Sequence, residues 1–253
     1  TVSDGQIVEL PLSELHTCEN HPFRAVDDEN MEEMVESIKE YGVLVPAIAR
    51  PRDAGGYELI SGHRRKHASE LAGKDTMPVM IRDCSDDEAV VIMVDANIQR
   101  EDILISERAK AYRMKYNAMK HQGMAKGNSL QEMSEQAGES MKTIQRLICI
   151  ASLNKELLDM VDEKRLALSV AVELSYMNKN VQQWIYEFIR ENGMIKQEQL
   201  MELRKYRDDK NMTQEQLITI LIGSASTVPT SKKITLNERK LHKFFPAYYS
   251  KAE

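Results

Sequence analysis

Tyr57-Glu58-Leu59-Ile60-Ser61-Gly62-His63-Arg64-Arg65-Lys66-His67-Ala68 joins a short apolar segment to a basic one through a single glycine. The pattern predicts a strand over Tyr57–Ser61 and a helix from about Arg64 to Leu71, ended by Gly73. A glycine at a strand-to-helix turn lets a ligand come close to the backbone, and the first turn of the helix offers unpaired N–H groups to an anion. Arg64 and Arg65 can fork onto phosphate oxygens. The same residues also read as an ordinary solvated start of a basic helix.

Upstream, Gly55-Gly56 turns the chain from a predicted strand, Val43–Arg50, ended by Pro51, so 43–61 forms a hairpin. Before it, Met31, Met34, Val35 and Ile38 recur at helical spacing. They predict a helix from Glu29 to Tyr41, capped by Asp27 or Asp28 and stopped by Gly42. Residues 7–15 read as a strand running into a turn. Downstream, Met77–Arg82 is a further strand, and Asp86 or Asp87 starts a helix. This alternation describes an α+β domain over residues 1–105. At its end stands Asn97-Ile98-Gln99-Arg100-Glu101-Asp102. Arg100 can add a phosphate contact there, and Asn97, Glu101 or Asp102 can reach a hydrated Mg²⁺, which prefers oxygen ligands.

From Ser106 the periodicity is helical, punctuated by Gly123, Gly127-Asn128, Gly138, Asn154 and Gly193. Ser129-Leu130-Gln131-Glu132 has the spacing of a capping box and opens a predicted helix with Leu130, Met133 and Ala137 on one face. Gly138 suits a tight turn. Ser140 then caps a second helix, Met141 to Ser152, with Ile144, Leu147 and Ile148 inward. Two short helices about a glycine turn have the helix-turn-helix layout, whose second helix enters the major groove. Met141, Lys142, Thr143, Gln145 and Arg146 are left outward. Lys and Arg suit phosphates or guanine edges, and Gln suits adenine. A plain helical hairpin inside a bundle has the same spacing.

The charge distribution bears on that choice. The 253 residues carry a net charge of −6, which as a whole disfavours nucleic acid. Residues 1–105 hold 10 Lys/Arg against 22 Asp/Glu, whereas residues 106–150 hold 8 against 4 and residues 221–253 hold 6 against 2. The positive charge lies after the first hundred residues, and a duplex responds to a local positive face. Cys18, Cys84 and Cys149 are far apart and odd in number, which suggests neither a zinc site nor a disulfide framework. No apolar run approaches the length of a membrane span. The chain opens on Thr1, so the natural N-terminus is expected to precede it. Residues 223–233 read as a small, polar linker. The remaining residues to Glu253 are too few for a domain and are expected to begin a C-terminal dimerisation domain.

His21-Pro22-Phe23-Arg24, Ser37-Ile38-Lys39-Glu40-Tyr41-Gly42-Val43-Leu44 leading to Pro46, Tyr57–Arg65 and Asn97–Asp102 follow one another in an order that resembles the ParB family of chromosome and plasmid partition proteins. Nucleoid-occlusion relatives share that layout. The resemblance covers about residues 7–200. It implies a ParB/sulfiredoxin-like α+β domain followed by an all-α domain over 106–222, with the helix-turn-helix at 129–152. It further implies a clamp-like homodimer loading on a palindromic site in double-stranded DNA, CTP bound with Mg²⁺ in the N-terminal domain, and a ParA-type ATPase as partner. The place of action would be the cytoplasm, on the nucleoid or a plasmid. By position, Gly62, Arg64 and Arg65 match the family's G-E-R-R motif. Asn97 and Arg100 match its E-N-x-Q-R motif, in which the Asn contacts Mg²⁺ and the Arg a phosphate. Arg24 matches an Arg near the nucleotide, and Ser140–Arg146 match the recognition helix.

Two departures stand out. The Glu of G-E-R-R is His63 here, and a histidine near phosphates strengthens their binding as it protonates, near pH 6.5 if unperturbed (about that value for the free side chain). The Glu of E-N-x-Q-R, tied to hydrolysis in the family, is Ala96. Alanine supplies no oxygen, so nucleotide is expected to bind and to be hydrolysed slowly or not at all, unless Asp95 or another carboxylate substitutes. A plasmid or mobile-element transcription regulator without a nucleotide cycle is the alternative. An enzyme on the same domain is disfavoured: no Cys lies in or beside 62–68, and Asp86-Asp87-Glu88 reads better as a helix N-terminus than as a metal cluster.

Overall fold

A computed structural model describes residues 4–17, 22–23, 29–100, 103–123, 126–207, 209 and 211–225. The chain is mixed α/β and forms two compact units, residues 1–194 and 195–253. The first contains a five-stranded sheet of β1 (Ile7–Pro11), β2 (Leu15–Thr17), β3 (Ala47–Pro51), β4 (Tyr57–Ser61) and β5 (Thr76–Ile81), in the order β1-β5-β3-β4-β2. β3 pairs antiparallel with β4, as the hairpin reading requires, and parallel with β5. β1 is antiparallel to β5, and β2 parallel to β4.

Period-two alternation sends successive side chains to opposite faces. Ala47, Ala49 and Leu59 join Leu10, Leu15, Met77, Val79 and Ile81 in one core. Ile48 and Ile60 belong to another, shared with Ala89, Met93 and Val94 of α3 (Asp86–Asp95) and with Ala111 and Met114 of α4 (Ile105–His121). The boundary expected near residue 105 therefore falls inside a compact unit, because α4 shares its apolar face with α3. Met31, Val35 and Ile38 of α1 (Glu29–Tyr41) pack with Ala68 of α2 (His63–Leu71).

The strand expected over 43–50 begins only at Ala47. Pro46 has no N–H for a ladder, and Leu44 and Val45 remain 75% and 65% exposed. Residues 7–15 form the expected strand running into a turn, Ile7–Pro11 followed by a 3₁₀ turn at Leu12–Glu14, and a further strand, Leu15–Thr17, lies on the far edge beside β4. α3 starts at Asp86, as expected, and is capped by Ser85: Ser85 Oγ accepts from Glu88 N, and the Glu88 carboxylate accepts from Ser85 N at 2.8 Å. The cap expected at Asp27 or Asp28 lies outside the described residues.

Beyond α4 come α5 (Lys126–Ala137), α6 (Met141–Ile150), α7 (Lys155–Asp162), α8 (Leu168–Leu174) and α9 (Lys179–Asn192). The second unit holds α10 (Gln197–Arg204) and α11 (Gln214–Ala225). The capping box expected at Ser129 is not formed. α5 starts at Lys126, carries Gly127 and Asn128 within it, and buries Ser129 completely. The propensity cost of one interior glycine, about 1 kcal/mol, is small enough for packing to override. α11 reaches Ala225, so the expected linker opens inside a helix.

Candidate nucleotide cleft and candidate nucleic-acid interface

Gly62 is the N-cap of α2, with φ +108° and ψ 18°. That left-handed conformation favours glycine, and space requires it too: a Cβ there would meet Ala47 Cβ at 2.7 Å. The start of α2 therefore packs its backbone directly against Ala47 of β3. The turn opens a cleft of about 220 Å³ lined by Ser61, Gly62, His63, Arg64, Arg65, Ala96, Asn97 and Arg100, with Phe23 and Met34 as its apolar wall. Two segments more than thirty residues apart in sequence meet here. Arg24, expected nearby, lies outside the described residues. A larger hollow of about 410 Å³, lined by Arg50, Glu58, Asp86 and apolar residues of α3, contains none of the residues assigned from sequence to nucleotide binding.

The basic run at 63–67 divides. Lys66 and His67 face Glu70 on their own helix, at 3.0 and 3.6 Å, whereas His63, Arg64 and Arg65 line the cleft. Arg65 has a second task. Its Nη1 donates to the carbonyls of Val45 and Pro46, at 2.6 and 2.8 Å, and burial pushes its pKa down. It ties the exposed Leu44–Pro46 loop to α2, a role the sequence did not reveal. Asn97 Nδ2 donates to Met93 O at 2.8 Å, which leaves Oδ1 as its acceptor for a cation. Ala96 lines the cleft without an oxygen. Asp95, the neighbouring carboxylate, is bound by Lys115 Nζ. Asp86 pairs with Arg50, Asp87 with His121, and Glu88 closes the cap, so this acidic run is a helix start. Among the described residues no group of three or more His, Cys, Asp or Glu could hold a metal.

The other candidate surface is α6. Gly138, with φ +68°, turns the chain between α5 and α6. Ser140 caps α6, its Oγ accepting from Thr143 N at 3.1 Å. Ile144, Leu147 and Ile150 are buried, while Ser140, Met141, Lys142, Gln145 and Arg146 are exposed and Thr143 is half-buried. Ile148, expected inward, is only partly covered. The turn is braced from α4: Glu139 pairs with Arg108 and accepts from Tyr112 OH at 3.1 Å. Lys115 Nζ also bonds Gln136 Oε1, and Gln99 Nε2 reaches Gln136 O at 3.4 Å. Sequence reasoning missed Lys115. The signal was its place on the stripe Ala111, Tyr112, Lys115, Ala118 and Met119, where a lysine stands among buried residues.

Residues 1–98 match the family described as ParB N-terminal domain. A probable chromosome 1-partitioning protein ParB of Deinococcus radiodurans is 31% identical over 189 residues, covering 75% of this chain and 62% of that protein. A chromosome-partitioning protein Spo0J of Thermus thermophilus is 28% identical over 188 residues, covering 74% and 66%. The chain thus spans just under two-thirds of the length of these relatives. Among solved structures, a C-terminally truncated ParB from Caulobacter crescentus, complexed to the centromeric parS site, is 22% identical with a TM-score of 0.48, covering 79% of this chain and 98% of that one.

Proposed function

We propose, from the match of residues 1–98 to the ParB N-terminal domain family, that this protein is a sequence-specific DNA-binding partition protein, a dimeric clamp gated by CTP and Mg²⁺. The observation that carries the proposal is the cleft gathering Gly62, His63, Arg64, Arg65, Asn97 and Arg100. Guanidinium groups, a backbone-open glycine and a helix N-terminus are what a polyphosphate needs. In this assignment Arg64 and Arg100 bind phosphate, and Arg65 binds the loop as well as the ligand.

Asn97 Oδ1 and Ser61 Oγ are the side-chain oxygens of the cleft wall. They fit a Mg²⁺ that keeps most of its water and takes its other ligands from phosphates, not one caged by protein. When bound, the ion supplies positive charge against the phosphates. Ala96 has no side-chain oxygen to position an attacking water, and Asp95, held by Lys115 through Oδ1, is not among the residues lining the cleft, so the protein binds nucleotide and turns it over slowly or not at all.

α5 and α6 form the helix-turn-helix. Lys142, Gln145 and Arg146 read or grip the duplex, and Ser140 and Thr143 hold the helix start that faces it. The protein acts in the cytoplasm on the nucleoid or a plasmid, with a ParA-type ATPase as partner. Ala96 also favours a second function, a regulator with the same fold and no nucleotide cycle. Calorimetry with CTP, ATP and GTP, with Mg²⁺ and DNA present, decides between them. CTP binding is expected; no binding of any nucleotide leaves the regulator. Phosphate release as fast as that of Ala96→Glu, at saturating CTP and cognate DNA, would refute slow turnover.

A further inference from the structure

Lys115 is 2% exposed, and a buried lysine is tolerated when its charge is met. Its Nζ bonds Asp95 Oδ1 on α3 and Gln136 Oε1 on α5. Asp95 is the last residue of α3, two before Asn97 in the cleft wall, and Gln136 lies in the last turn of α5, two before Gly138. Gln99, between Asn97 and Arg100, reaches the backbone of the same Gln136. One ammonium therefore joins the chain end that forms the cleft to the turn that sets α6.

We propose that Lys115 is a positioning residue that couples the two sites: it holds the α5–α6 turn in register with the Asn97–Arg100 segment, so that occupancy of the cleft changes DNA affinity through it. The proposal rests on the function given above. Its physical basis is that the Lys115 side chain, 3% exposed, has few alternative partners for its ammonium, although Asp95 itself is 39% exposed. A shift of the Asn97 segment around a ligand moves Asp95, and either Gln136 follows or the lysine loses a partner. Asp87–His121, a second ionic contact between α3 and α4, lies at the far end of α3 with its histidine exposed, and neither residue lines the cleft.

The test uses the whole chain and two variants. Lys115→Met alone removes the link to both Asp95 and Gln136 and leaves the half-exposed Asp95 to solvent. The double variant Lys115→Met/Asp95→Leu replaces the pair with apolar groups, a change that often leaves stability equal or higher. For each protein the DNA affinity is measured with and without CTP–Mg²⁺, on a duplex recovered from genomic DNA by the native chain. CTP affinity is measured with and without that duplex. Linkage requires the two ratios to agree. The native ratio is expected to exceed about five-fold, and that of the double variant to fall below about two-fold, with each separate affinity within roughly three-fold of native. In hydrogen exchange, CTP should change protection at 134–143 in the native chain only. An unchanged ratio in the folded double variant overturns the coupling role, as does a native ratio of one with CTP still bound. If the native chain binds no nucleotide, the gated-clamp function falls as well, so the two failures are distinct.

Discussion

Gly62 and Gly138 each turn the chain at a proposed site, and each has positive φ. At Gly62 a Cβ would strike Ala47, whereas at Gly138 nothing lies within 4 Å. The first glycine is demanded by a neighbour brought from another part of the chain, the second only by its own backbone. The same contrast separates the two sites. The cleft is assembled from β4, α2 and the residues after α3, while the candidate nucleic-acid surface is one helix with its own cap.

Mutation tests this difference. Gly62→Ala combines left-handed strain with overpacking against β3, and should cost about 3 kcal/mol or more, a fall in Tm of roughly 6–12 °C. A loss under about 1 kcal/mol in denaturant melts would mean that β3 and α2 separate easily. Arg146→Ala should leave Tm unchanged and weaken specific DNA binding by about 1–3 kcal/mol, measured by titration against native and scrambled duplexes. Equal affinity for the native site would remove α6 as the reading helix. Gly138→Ala should cost only about 1–2 kcal/mol, and Gly138→Asn less, because backbone strain is the only penalty. If Gly138→Ala destabilised as much as Gly62→Ala, the contrast would collapse. Lys142→Ala should have the smallest effect, a uniform weakening across sequences with the salt slope reduced by about one.

Legibility followed the same line. The hairpin at Gly55-Gly56, the stops at Gly42 and Gly138, and the Ser140 cap depend on residues within a turn or two of one another. The errors arose where distant contacts overrode local preference. Ser129 has the pattern of a cap yet is buried inside α5. Val43–Val45 has the composition of a strand yet lies outside the sheet, fastened through Val45 and Pro46 carbonyls to Arg65. Lys115 counts as one more basic residue near a DNA surface until its surroundings are seen; it is buried and bound to Asp95 and Gln136.

By itself, the order of residues determined most element types, most of the outward set on α6, and the identity of the basic and glycine residues around Gly62. These depend on periodicity, caps and turn chemistry, which act over a few residues. Only the tertiary structure decided that Asn97 and Arg100 close the same cleft as Gly62 and Arg64, that Lys66 and His67 face Glu70 on their own helix instead, and that Lys115 joins α3 to α5. Such meetings are set by how the apolar faces of β4, α3 and α4 pack, and that packing energy belongs to no single segment.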